Sequence, residues 1–238
     1  MALTACSERP TSFIQSQGID PTGEPNVLTE SEKAAGWQSL FDGKSFEGWH
    51  GYNTPDSIPD CWIIEDGAMT MTTRTGAESQ DVVSDKDYKS FAFYVEYKMT
   101  ENCNSGILIQ VKEDTTYTFA YETGAEMQVN SNPVSKAGNP SQSNASCYEM
   151  YVAKSNPIKP LDEWNSAMII VDGNNVTQVF NDVVVVEYVK HSEDWTTRRN
   201  SGKWDKFPDW GKFDEGKISL QNHGTRVYYR NAKIKVLD

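Results

Sequence analysis

Residues 166–189 read SAMIIVDGNNVTQVFNDVVVVEYV, and this run limits what the chain can fold into more than any other. Its apolar, β-branched stretches are of strand length. Between them, Asp172-Gly173-Asn174-Asn175 and Asn181-Asp182 are the residue types that tight hairpins require. Two or three strands are expected here. FAFYVEYKM (91–99) alternates, with Phe91, Phe93, Val95, Tyr97 and Met99 on one face and Ala92, Tyr94, Glu96 and Lys98 on the other. GILIQV (106–111) sets Ile107, Ile109 and Val111 against Leu108 and Gln110; GAEMQVN (124–130) and SCYEMYVA (146–153) are further strand candidates. No long stretch carries a helical period, and no internal repeat is visible. Many strands joined by Gly, Asn and Asp turns predict an all-β chain, two antiparallel sheets packed face to face as a sandwich.

One short helix is expected over 30–35, where Thr29 and Glu32 have capping-box spacing and Gly36 stops the helix. Upstream, SERPTSFIQSQGIDPTGEPNV is polar, contains Pro and Gly and has no period, as suits a tether. The expected organisation is a flexible tail over 1–28 and one sandwich domain over 29–238. LTACS (3–7) has the form of a bacterial lipobox, which makes Cys6 the expected lipidation site. The expected location is the bacterial cell envelope, with the membrane reached only through that lipid anchor. No run approaches the ~18 apolar residues that a spanning helix needs.

Charge excludes one class of partner. Asp and Glu outnumber Lys and Arg by 34 to 22, a net charge of −12, whereas nucleic acid needs a basic face. Cys61, Cys103 and Cys147 allow at most one disulfide and read as small buried thiols.

Where Ala125, Met127 and Val129 fill the core, Glu126 and Gln128 stand roughly 7 Å apart on the outer face of a sheet. Where Ile218 and Leu220 do the same, Gln221 and His223 also point outward. A carboxylate, amides and an imidazole on such faces, rimmed by aromatic rings, suit sugar hydroxyls and pyranose faces; the bland alternative is a solvated strand face. His223, one of three histidines and adjacent to Gly224, is either a proton-transfer group or a histidine bonded to backbone. Parity with Ala232, Ile234 and Val236 sends Arg230 inward, which calls for a carboxylate partner or a bulge that turns it toward a site. Asn104 stands at a strand mouth, ready for a ligand or a turn. Trp49, Trp204 and Trp210 lie among Gly, Asp and Lys and are the stacking candidates, while Trp37, Trp62 and Trp164 are expected in the core. The stretch 190–213 is too long for a hairpin loop and is expected to be functional.

Taken in order, these blocks resemble a family. LTESEKAAGWQSLFDGKSFEGWHGY is similar to the opening signature of the bacterial 3-keto-disaccharide hydrolases, a Gly-Trp-x-x-Leu-Phe-(Asp/Asn)-Gly-Lys run followed by Gly-Trp. WIIEDGAM, NSGILIQ, AEMQVN, EWNSAMIIVDGNNV and GKISLQNHGTRVYYRNAKIKV match successive family blocks over roughly residues 29–238. The resemblance implies a concanavalin A-like jelly roll with a carbohydrate site on its concave face. It also implies cleavage of glycosides already oxidised at C3, by removal of the C2 proton and β-elimination, then hydration. On that reading Glu126 and His223 are base, acid or ligands of a divalent metal ion. Gln128, Asn104 and Gln221 position hydroxyls, and Arg230 or Lys206 steadies negative charge. Where family members often have His-Trp-Leu-Asn-Gly, this chain has QVFND (178–182), so Gln178 replaces a common histidine. The alternative function is a non-catalytic carbohydrate-binding lipoprotein on the same fold.

Overall fold

Hydrophobic alternation places strands where it is strict, and left-handed residues end them. The structure, a computed structural model, describes residues 12–72, 80–131 and 138–237. In chain order its strands are β1 (Gln38–Ser39), β2 (Trp49–Gly51), β3 (Trp62–Glu65), β4 (Ala68–Met71), β5 (Val82–Ser84), β6 (Phe91–Met99) and β7 (Asn104–Val111). They continue as β8 (Ala125–Asn130), β9 (Trp164–Asp172), β10 (Asn175–Phe180), β11 (Val183–Val189), β12 (Lys217–Leu220) and β13 (Val227–Val236). One sheet runs β11-β10-β9-β6-β13-β4-β3 with β1 beside β13, and the other runs β2-β5-β12-β7-β8. All pairings are antiparallel. This is the concanavalin A-like sandwich that was expected. The core lies between the sheets: Phe91, Phe93, Val95, Tyr97 and Met99 from β6 meet Ile107, Ile109, Met127, Val129, Ile218 and Leu220.

The run that opened the sequence reading forms three strands, β9 to β11. Gly173 and then Asn181 with Asp182 take positive φ at the two turns, the conformation those residue types tolerate. The expected strand over 146–153 is absent. Ala145 (φ 65) and Glu149 (φ 59) break the extended run, leaving isolated bridges from Cys147 to Met127 and Tyr151. In β7, Gln110 (φ 51) kinks the strand, so Val111 joins Leu108 on the outer face instead of Ile109 in the core. Cys61, Cys103 and Cys147 are buried free thiols.

The helix expected at residue 30 spans Glu30–Ala34 (α2), with Thr29 and Glu32 forming the capping box. The tail boundary moves. A short helix at Phe13–Ser16 (α1) and the chain after it lie on the outer face of the larger sheet, where Ile14, Ile19 and Trp37 pack on Ala92, Tyr94, Met168 and Val179. The folded body therefore includes residues 13–28, which the sequence alone assigns to the tether; Cys6 lies outside the described residues. The stretch 190–213 holds a helix at Glu193–Arg199 (α3), capped by Ser192, and a 3-10 turn at Lys203–Lys206. Among the described residues, no helix is long and apolar enough to cross a membrane.

Candidate functional site

On the outer face of the five-stranded sheet lies a cavity of about 900 Å³. Register fixes its floor. Asn104 of β7 pairs with Asn130 of β8, Gly106 with Gln128, and Leu108 with Glu126. Because Met127 and Val129 face the core, Glu126 and Gln128 face the cavity as alternation predicts. Next to β7, Gln221 continues β12 and donates its backbone N–H to Gly106 at 2.9 Å. Asp81, just before β5, lines the wall two strand spacings from β7, about 10 Å across the sheet.

Gly106 is what lets Glu126 lie flat. A Cβ there would sit 2.7 Å from both Cγ and Cδ of Glu126, closer than carbon atoms pack. Gly106→Ala therefore pushes the carboxylate off the floor. We expect a fall in turnover of about a hundredfold for a cost of only 1–3 kcal/mol in stability, read by kinetics and by thermal melting. Unchanged turnover would mean that the carboxylate position is immaterial.

The electrostatics of the cavity are unusual for a surface. Glu126 is 4% exposed, and its carboxylate makes no hydrogen bond among the described residues. Burial pushes it up to about 8; the Lys203 ammonium opposes that rise and the Asp81 charge adds to it. Asp81 is also pushed up by burial, to about 7, against the N–H of Asn222, which donates to its Oδ1 at 2.8 Å. Lys203 enters from the 3-10 turn and sits over the rings of Trp204 (4.5 Å), Tyr148 (4.6 Å) and Tyr121 (5.0 Å). Burial lowers its ammonium, while Glu126 and Glu149 hold the charge on.

Several expected residues meet in this cavity: Glu126, Gln128, Asn104, Gln221 and His223 all line it. Gln128 Nε2 donates to Asn104 Oδ1 at 2.7 Å, so the two amides orient each other. His223 is exposed at the mouth, not buried beside Glu126. Other expected residues lie elsewhere. Arg230 is on the outer face of the larger sheet, donating to Glu96 Oε2 at 2.7 Å and stacking 3.9 Å from the Trp164 ring. A bulge between Arg230 and Lys233, with Asn231 at φ 56, breaks the parity that would have sent Arg230 inward. Lys206 is exposed and does not line the cavity; Lys203, three residues earlier, does. Trp49, Trp204 and Trp210 are buried and offer no face to a sugar. Trp49 donates to Leu40 O, and Trp204 and Trp210 stack on each other at 4.4 Å. Gln178 is buried on β10 and does not line the cavity.

The sequence reading missed Asp81, Lys203, Tyr52, Phe119, Tyr121 and Tyr148. The crowding of tryptophans in 190–213 pointed to the right segment for Lys203 but not to the right lysine. Among the described residues, no three His, Cys, Asp or Glu side chains gather as a metal-binding group. The charged neighbours of Glu126 are the Lys203 ammonium and Asp81, while His223, its expected co-ligand, is exposed at the mouth. Glu126 and His223 therefore do not come together as a metal-ligand pair among the described residues.

Residues 36–235 match the family described as 3-keto-alpha-glucoside-1,2-lyase-like domain. The chain is 34% identical over 232 residues to a 3-keto-disaccharide hydrolase of Bacteroides thetaiotaomicron, covering 86% of this chain and 80% of that protein. A crystal structure of a candidate glycosyl hydrolase from Parabacteroides distasonis superposes with a TM-score of 0.83 at 38% identity, covering 90% of this chain and all of that one (100%). A carbohydrate-binding module, CBM66 of Bacillus subtilis, shares the fold alone, with a TM-score of 0.50 at 10% identity over 79% of this chain and 95% of that one.

Proposed function

The chain belongs to the 3-keto-disaccharide hydrolase family, and we propose that it cleaves 3-keto-glycosides by elimination and hydration, with Asp81 and Glu126 as its proton carriers. The observation that carries this reading is a pair of carboxylates facing one cavity, both pushed by burial into the neutral range. Carboxyl groups with ordinary acidity are poor proton donors at neutral pH; groups near 7 and 8 exchange protons there efficiently.

The 3-keto group makes the C2 proton acidic. Asp81, the lower of the two, is ionised first and takes that proton. The electron pair left at C2 is delocalised onto the C3 oxygen, with the Lys203 ammonium supplying positive charge in the cavity. Collapse of this enediolate re-forms the C3 carbonyl, makes a C1–C2 double bond and breaks the bond from C1 to the leaving oxygen. Glu126 gives that oxygen its proton. Water then adds: its hydroxyl goes to C1, its remaining proton restores Glu126, and Asp81 returns its proton to C2. The net change is addition of one water. Asn104, Gln128 and Gln221 supply the donors and acceptors that hold the sugar hydroxyls.

The test is turnover of 3-keto-glucosides beside their unoxidised parents. Cleavage of only the keto forms is expected, with kcat/KM falling as pH drops through about 7, where Asp81 gains a proton, and as it rises through about 8, where Glu126 loses one. Binding without turnover of either form would leave a sugar-binding protein instead.

A further inference from the structure

The cavity is polar at one end and aromatic at the other. Asn104 and Leu108 lie four residues apart on β7, ~13 Å along the strand, with Gly106 and the Glu126 side chain between them. At the Asn104 end stand Gln128, Asn222 and His223. Toward Leu108 the lining turns apolar: Tyr52, Ala120 and Tyr121 line the cavity there, packed on the buried Val83, Leu108 and Val111.

Over this end stands Phe119, 47% exposed and, among the described residues, the one aromatic ring of the core-forming type left so open. Its ring lies parallel to that of Tyr121, 5.2 Å away at 9°. Tyr121 is itself fixed, with Lys203 Nζ 5.0 Å from its ring and the Phe207 ring edge-on at 5.7 Å. The loop is pinned as well. The backbone N–H groups of Thr118 and Phe119 both donate to Glu122 Oε1 at 3.0 Å, and Asn53 Nδ2 donates to Tyr117 O at 2.9 Å. Phe119 thus lines the cavity with one face stacked on Tyr121 and much of the ring open, on a loop whose backbone is already held, which reduces the ordering a ligand would have to impose.

We propose that this end is the leaving-group subsite, and that Phe119, backed by Tyr121, selects glycosides whose leaving group is a flat aryl ring. The assignment rests on the functional reading above. With sugar hydroxyls served by the amides, Glu126 midway along the floor and Asp81 on the wall, the scissile bond lies over the middle and the departing group over the rings. Phenylalanine has no polar atom with which to reward a hydroxyl, and its open face matches the parallel or offset stacking of an arene. A volume of about 900 Å³, at the upper end for small-molecule sites, has room for a second ring beside the sugar.

The experiment compares wild type, Phe119→Ala and Phe119→Leu on 3-keto-glucosides bearing phenyl, methyl or glucosyl leaving groups. We expect KM for the phenyl substrate to rise about tenfold in Phe119→Ala and KM for the methyl substrate to change by about twofold or less, so that the phenyl-over-methyl preference falls. Phe119→Leu, which keeps bulk without a ring, gives an intermediate rise. Equal losses on all three substrates, or none, overturn the proposal. A larger loss on the glucosyl substrate replaces the aryl ring by a second sugar. Calorimetric titration with the unoxidised phenyl and methyl glucosides repeats the comparison without turnover. It therefore decides the subsite even if wild type cleaves no keto-glucoside, which would sink the functional reading alone.

Discussion

Replacing Glu126 by Gln is expected to lower kcat on a 3-keto-glucoside by about 10²–10⁴ while making the protein more stable at pH 8. The two effects have one cause. In the unfolded chain a glutamate ionises near 4.5, whereas burial raises Glu126 to about 8 in the fold. Between those values the folded state holds a proton that the unfolded state has released, so this group makes stability fall as pH rises from about 4.5 to 8. Above 8 the loss is complete; below 4.5 it is absent. A glutamine of the same shape carries no charge to desolvate, so the variant escapes the loss. The gain is on the order of 3 kcal/mol at pH 8, or several degrees in Tm, and vanishes near pH 4. Lys203 reduces the gain, since the variant leaves its ammonium with less negative charge nearby. Thermal melts at pH 5 and pH 8, beside kinetics on the same preparations, measure both effects. A variant that is less stable at both pH values, or fully active, would show that Glu126 is a structural carboxylate.

A stability cost paired with activity also explains which parts of the site were legible in the sequence. Glu126 and Gln128 sit in strict alternation with Ala125, Met127 and Val129, so two-residue periodicity placed them on the right face without any tertiary knowledge. Gln221 followed from Ile218 and Leu220 in the same way. Asp81 and Lys203 carry no such period. Each reaches the cavity because a loop end is brought there by the order of the strands, and strand order is a property of the whole sheet. The tryptophans failed for a related reason. Lys203 and Asp205 flank Trp204 and read as surface residues, but a 3-10 turn of four residues points the Trp204 ring inward while Lys203 reaches the cavity and Asp205 stays exposed. Arg230 was lost to a single bulge. Local pattern reads faces, and it fails wherever one left-handed residue resets the count.

The N-terminal segment shows a signal that was read correctly and yet understated. Glu32 was placed by its capping-box spacing from Thr29, and its Oε2 does accept the Thr29 N–H at 3.0 Å. The same carboxylate also accepts the Asp20 N–H at 3.1 Å and meets Lys233 Nζ at 2.7 and 2.8 Å. Glu32 is 0% and Lys233 1% exposed, so this is a buried ion pair joining the strap after Ser12 to the last strand. It lies over the outer face of the larger sheet, on the opposite side of the sandwich from the cavity.

Glu32→Ala is accordingly expected to cost 3–5 kcal/mol, roughly 10 °C in Tm, because it strands a buried ammonium and frees two backbone donors together. Lys233→Met alone should cost a similar amount by leaving the carboxylate unpaired. The double variant Glu32→Gln, Lys233→Met removes both charges, keeps a side-chain acceptor for the Thr29 and Asp20 N–H groups, and should recover most of the loss. Denaturant unfolding of wild type, Glu32→Gln, Lys233→Met and the double variant closes the cycle and gives the coupling between the two sites. Losses that simply add in the double variant would mean that the pair does not act as a unit and that packing of Ile14, Ile19 and Trp37 alone holds the strap. Because the strap and the cavity lie on opposite faces, kcat/KM measured well below each melting temperature should be unchanged in all four proteins.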